Sequence, residues 1–303
     1  MRHKWRERNL SDTGESLEHW PNDWWTTPNA INMLTPLWAK HVVGLRAVYV
    51  TERKAHGAFF TGFIFQYKNM HVWLSAGHVV EEMDKIVALP RDRVFGLGWI
   101  DGVNTTDAQT IPMSFDTLPR ARINRDGLDL GVVWLRENTV GFLLSRPDEN
   151  VFLNPTVWGG VDDVNPDGFH LAGAPTTLVE LNPVGRDATH HEFQLNAALV
   201  TLPVERIPRE PKEPLSFWSH PHAFYGRLVN SDLFQSQVPS IKGMSGGPVF
   251  ALSRVDAGIR YHLVGIQSAW LPQNKTIRAT PVADVAEILQ ETYHRLSSDS
   301  HMR

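Results

Sequence analysis

Short apolar runs, bounded by glycine, proline and polar turn residues, recur through most of this chain. Runs of that length in that setting read as strands. Gly57 to Phe65 reads as one strand, and Met70 to Ser75 as its hairpin partner across the turn Tyr67-Lys68-Asn69. Gly127 to Leu135 reads as a further apolar strand with an acid near its start. Downstream, Phe169 to Pro175, Phe193 to Val200, Val249 to Leu252 and Leu263 to Ile266 form a second group. The pattern changes at Pro281 to Gln290, where helical spacing with a leading proline predicts a terminal helix packed on that second group. Ser297 onward reads as a disordered tail. Pro203 to Pro214 carries four prolines among charges and reads as a surface loop.

These elements predict an all-β protein in two halves that meet at a loop, Arg146 to Asn150. The division expected is an extension over residues 1–40, a first lobe over 41–150, a second over 151–280, and a helix with a tail over 281–303. The extension is rich in tryptophan (Trp20, Trp24, Trp25, Trp38) and reads as a strap whose indoles pack on a barrel. Its other reading is a docking or autoinhibitory segment.

Chemistry concentrates in two places. Gly243-Met244-Ser245-Gly246-Gly247-Pro248 sets a serine in a glycine-rich turn, and Leu74-Ser75-Ala76-Gly77-His78 closes an apolar strand with a histidine. A serine hydroxyl attacks well only when a base takes its proton. The oxyanion it creates must be met by pre-aimed donors, commonly backbone N–H groups. Glycines allow the dihedrals that converge such donors. The stretch also satisfies the G-x-S-x-G elbow of α/β-hydrolases. That elbow leads into a helix, whereas Pro248 and the apolar run after it predict a strand. The histidines after the serine, His262, His294 and His301, sit in no obvious catalytic loop.

A base histidine needs a third group to orient it. Asp129 is preferred, because a carboxylate leading an apolar strand is costly without a partner. Asp126, in a turn that would be solvated, is the alternative.

Together, and in the order histidine, aspartate, serine, these motifs resemble the trypsin-like (chymotrypsin-fold) serine peptidases, of the cysteine-free bacterial type. The resemblance covers roughly residues 41 to 296 and includes Phe60-Thr61-Gly62-Phe63-Ile64 and Asp129-Leu130-Gly131-Val132. It implies two packed antiparallel six-stranded β-barrels with the site at their seam. It implies Ser245 as nucleophile, His78 as general base and acid, and Asp129 as the orienting carboxylate. The N–H groups of Gly243 and Ser245 would form the oxyanion hole. Pro239, Gln267, Ser268 and Trp270 would contact substrate, and Val264 to Ser268 would pair with it as an added strand. Met244 stands where the family often has an acid, and Trp270 where it has a small open stretch. An uncharged Pro239 and an indole at the pocket wall lean toward a small or medium apolar residue before the cut bond. The runner-up is a latent or inactive module of the same fold that binds a peptide or protein partner by strand addition.

At 303 residues and a formal charge of −4, with both signs interspersed, the chain argues against a nucleic-acid partner. No apolar stretch is long enough for a spanning helix, so no membrane partner is expected. The basic N-terminus is followed by no apolar signal core, and the chain has no cysteine. Both suit the reducing cytoplasm, the location expected, or else a chain lacking its leader. The expected partner is a protein or peptide substrate, with an activating protein partner left open. No cofactor is implied. His190-His191 and His220-Pro221-His222 lack the spacing of a zinc site, so no metal is expected.

Overall fold

The computed structural model describes residues 21–52, 54–101, 111–112, 117–125, 127–145, 152–159, 165–186, 191–207, 223–229, 238, 240–255 and 258–298. After a tight turn at Trp24–Thr26, helix α1 (Pro28–Ala39) begins with Thr27 Oγ1 accepting the Ala30 N–H at 3.3 Å and a proline at its first position. Strands β1 (Val43–Thr51), β2 (Lys54–Phe60), β3 (Phe63–Tyr67) and β4 (Met70–Ser75) follow, then helix α2 (Gly77–Val87). Next come β5 (Val94–Asp101), β6 (Ile111–Pro112), β7 (Arg120–Arg125), β8 (Leu128–Trp134) and helix α3 (Glu137–Leu144). The second half holds β9 (Gly168–Gly173), β10 (Val179–Arg186), β11 (His191–Ala197), β12 (Val200–Arg206) and β13 (Phe224–Leu228). It ends with β14 (Pro248–Val255), β15 (Gly258–Leu271), β16 (Thr276–Pro281) and helix α4 (Val282–Ser298).

The fold is mostly β. Six strands of the second half close into an antiparallel barrel in the order β12-β13-β16-β15-β14-β9. The first half forms two four-stranded sheets, β2-β1-β5-β6 and β3-β4-β8-β7, without that hydrogen-bonded closure among the described residues. The sheets are joined at the bridge Val42 to Phe63, and the Val43 N–H donates to Gly62 C=O at 2.9 Å. The hairpin β10-β11 stands apart from the barrel.

Three expectations change. The run Gly57 to Phe65 is two strands in different sheets, broken at Thr61-Gly62. At that break a Cβ on Gly62 would lie 2.3 Å from the Trp73 indole, a close approach that glycine allows. Pro203 lies in β12 opposite His170, not in a loop. Its carbonyl still accepts the Val229 N–H at 3.0 Å, which satisfies its one backbone group. Residues 208–214, the rest of the expected loop, lie outside the described residues, as does the Arg146 to Asn150 seam. Helix α4 continues past Gln290 to Ser298, so Ser297 is helical.

Helix α1 and Trp24-Trp25 cover one side of the barrel. Trp38 stacks on Phe250 with centroids 4.4 Å apart and meets Tyr261 edge-on. Its Nε1–H donates to His170 Nδ1 at 3.3 Å, and His170 Nε2 lies 2.8 Å from Trp25 C=O. His170 is fully buried, and desolvation pushes its pKa down to about 4. Burial also pushes the Tyr261 hydroxyl up to about 12. No helix among the described residues is long and apolar enough to cross a membrane.

Candidate active site

The site starts from Asp129. It sits in β8, whose every residue is buried, and is itself only 4 % exposed. Two partners explain how a carboxylate tolerates that burial. Its Oδ1 accepts the His78 N–H at 2.9 Å, and its Oδ2 lies 2.6 Å from His78 Nδ1. His78 is the second residue of α2, not the end of a strand as expected. Ala76, at the N-cap, has no side chain to cap the first turn. Asp129 supplies that acceptor from another strand and sets a negative charge at the helix N-terminus, where the dipole favours it. A carboxylate only accepts, so Nδ1 carries the hydrogen, and in the neutral ring Nε2 is then the lone-pair nitrogen. The His78 side chain is about half exposed, at 48 %.

The serine loop leads directly into β14 of the barrel. Gly243 and Gly246 hold φ of +98° and +93°, the left-handed region that glycine enters without a Cβ clash. Gly246 N–H donates to Gln267 C=O at 2.8 Å, and Gln267 N–H to Gly247 C=O at 2.9 Å. This exchange ties the loop to β15. Met244 N–H donates to Ile241 C=O at 3.0 Å and Gly247 N–H to Met244 C=O at 2.9 Å. The N–H groups of Gly243 and Ser245 have no acceptor among the described residues. Met244 itself is fully buried in the barrel core, which accounts for an apolar residue before the serine.

His78 and Ser245 line one cleft of about 340 Å³, with Ser268, Trp270, Tyr225 and Arg278 on its walls. The two side chains share the cleft without a direct hydrogen bond between them. Beyond Ile266, β15 no longer pairs with β14, while Ala269 to Leu271 stay paired with β16. The other edge of β15 is therefore unpaired there among the described strands.

Of the remaining expected site residues, Ser268 and Trp270 line the cleft. Gln267 does not. Its side chain is buried, its amide donates to Ala269 C=O at 2.9 Å, and its backbone secures the serine loop. Pro239 and Asp126 lie outside the described residues, as do His190, His220 and His222. Sequence reasoning missed Tyr225 and Arg278. Arg278 is 4 % exposed, and its Nε lies 3.3 Å from Ser268 Oγ. Its place follows from the irregular pairing of β15 with β16 near Ser268, which sets Arg278 opposite Ala269. Local pattern carries no sign of that shift.

No protein-family model matches this chain. No curated protein matches it in sequence. Among solved structures it is similar to the active form of the Rv3671c protease from M. tuberculosis, at 12 % identity and a TM-score of 0.40, covering 86 % of this chain and 85 % of that one. It is also similar to the serine protease domain of the Sesbania mosaic virus polyprotein, at 11 % identity and a TM-score of 0.36, covering 82 % of this chain and 91 % of that one.

Proposed function

We propose that this protein is a trypsin-like serine endopeptidase that cuts peptide bonds through an acyl-enzyme. Ser245 attacks the scissile carbonyl. His78 Nε2 takes its proton and returns it to the leaving amine. Asp129 holds the imidazole in the required tautomer and stabilises the imidazolium. The N–H groups of Gly243 and Ser245 receive the oxyanion. Water then deacylates the serine with His78 again as base. Substrate lies along the unpaired edge of β15 at Ala269 to Leu271 and adds a strand to the barrel.

One observation carries this reading: an imidazole fixed by a buried carboxylate at 2.6 Å opens onto the same cleft as Ser245. The missing contact between base and nucleophile is compatible with it, because such bonds are often long without substrate and tighten when it binds. The loop dihedrals and the two unpaired N–H groups add support.

The test is labelling with a fluorophosphonate probe, alongside hydrolysis of a peptide library. Wild-type protein should label on Ser245. The Ser245→Ala and His78→Ala proteins should lose turnover by about 10⁴ to 10⁶. Equal labelling of wild type and Ser245→Ala would refute the assignment.

A further inference from the structure

The cleft that holds Ser245 and His78 also carries a guanidinium in its wall. Arg278 lies on β16 opposite Ala269, beside the stretch of β15 along which substrate is proposed to lie. It is 4 % exposed, a costly place for a charge without polar neighbours. Ser268 helps to hold it there. Ser268 is the extra residue of β15 between the pairs Gln267 with Ala279 and Ala269 with Arg278, and such bulges re-aim side chains. Its Oγ accepts from Arg278 Nε and Nη2, each at 3.3 Å, and donates to Arg278 C=O at 3.3 Å. The hydroxyl's one proton and two lone pairs are thereby all used. Arg278 has a partner beyond Ser268 as well, and five N–H donors let one guanidinium serve several acceptors at once.

The rest of the wall sets the contrast. Tyr225, Ser268 and Thr276 bring hydroxyls, Trp270 an indole, and none of the described lining residues brings a carboxylate. At about 340 Å³ the cleft is at the small end of ligand pockets, so a peptide enters it with one side chain. The attacked carbonyl belongs to the residue before the cut bond, so that residue's side chain starts nearest to Ser245. A cationic side chain there would meet like charge in a partly dehydrated space. An apolar one would lay hydrocarbon against a guanidinium and replace none of the hydrogen bonds of the water it displaces. A carboxylate would form a charge-assisted hydrogen bond, and the planar fork of a guanidinium matches its two oxygens.

We infer that Arg278 is the specificity-determining residue of this cleft and that the protein cuts after acidic residues, aspartate or glutamate. The inference rests on Ser245 being the nucleophile. It departs from the small or medium apolar residue expected from Pro239 and Trp270, because strand pairing that local pattern does not carry sets Arg278 in the wall.

The experiment uses internally quenched peptides identical except at the residue before the cut bond, which is Glu, Asp, Gln, Leu or Lys. Wild type is compared with Arg278→Met and Arg278→Lys, and melting temperature and fluorophosphonate labelling report folding and a working nucleophile. In wild type, kcat/KM for Glu or Asp should exceed that for Gln and Leu by about 10- to 100-fold, the effect of one charge-assisted hydrogen bond, with Lys poorest. Arg278→Met should lose that advantage while still labelling on Ser245. Arg278→Lys keeps the charge without the fork and should fall between. A wild-type preference for Leu or Lys overturns the inference and leaves the peptidase reading intact, and that comparison stands even where Arg278→Met fails to fold. A folded, labelling Arg278→Met that keeps the acidic preference overturns it too. If wild type neither labels nor cuts, the peptidase reading falls by itself. Binding of the same peptides, read by tryptophan fluorescence, then decides the role of Arg278. About tenfold tighter binding of the Glu peptide than the Gln peptide, lost in the variants, upholds acid recognition, and equal binding overturns it.

Discussion

Asp129 serves two neighbours with two oxygens, and the services separate by mutation. Oδ1 accepts a helix N–H, and Oδ2 receives the imidazole hydrogen. An asparagine in its place would keep an acceptor for the helix but present an NH₂ to Nδ1, forcing the imidazole into the wrong tautomer. Asp129→Asn should therefore lower turnover by about 10⁴ with only a small change in melting temperature. Asp129→Ala should lose the same activity and about 1 kcal/mol more stability, because the first turn of α2 loses its cap. Parallel rate and denaturation measurements check this, and equal destabilisation by both variants would count against the dual role. The sequence exposes Asp129 because a carboxylate in an apolar strand needs a partner. It hides the helix that begins beside His78, because the acceptor that starts it lies 51 residues away. The tie from Thr61 is hidden for a similar reason, since its hydroxyl donates to Gly243 C=O at 2.9 Å across 182 residues of sequence. Nothing local distinguishes a hydroxyl that bonds within its strand from one that crosses to another lobe.

Among the elements, α1 depends on one histidine staying neutral. Trp38 donates to Nδ1 and Nε2 faces the Trp25 carbonyl, so the neutral tautomer of His170 with hydrogen on Nε2 satisfies both. Protonating Nδ1 would set two hydrogens against each other in a dry site. The folded pKa of about 4 lies below the ordinary histidine value of 6.5, so the unfolded chain binds the extra proton between them. Stability is then fullest above about pH 6.5, falls as pH drops toward 4, and levels off below; the loss is on the order of 3 kcal/mol. A glutamine side chain can accept from Trp38 and donate to Trp25 without titrating. His170→Gln should therefore flatten the acid limb of a melting-temperature profile, and an unchanged limb would point to another group. Helix α4 is legible in the sequence because its apolar residues repeat at helical spacing and Val282, Val285, Ile288 and Leu289 all reach the core. The corner at Thr61-Gly62 and the strand through Pro203 are not. Each is matched by partners elsewhere in the chain, Trp73 and Gly243 for the first and His170 and Val229 for the second.

Across the molecule, the strand-rich character is visible in the chain and a six-stranded barrel in the second half follows from the resemblance, but the pairing that closes it is not carried by local pattern. Closure depends on β9 pairing with both β12 and β14, contacts between segments far apart in sequence. The two halves are also less separate than their sheets suggest. One apolar cluster joins Phe63, Phe65 and Leu74 of the first half to Phe250, Leu252 and Ile266 of the barrel, and continues into α1 and α4. Phe65 stacks on Trp158 at 4.8 Å and bridges to Leu153, while Trp158 bridges to Leu263. With no cysteine in the chain, this shared packing must hold the lobes together. Neither half can expose its side of that cluster without stranding the other. Denaturant unfolding should therefore run as one transition, with far-ultraviolet circular dichroism, tryptophan fluorescence and fluorophosphonate labelling superimposed. The labelling curve is the sharpest of the three, since His78 and Ser245 belong to different halves of the chain. If labelling vanished well before the other signals, the lobes would be parting while each stayed folded, and the shared core would not be what couples them.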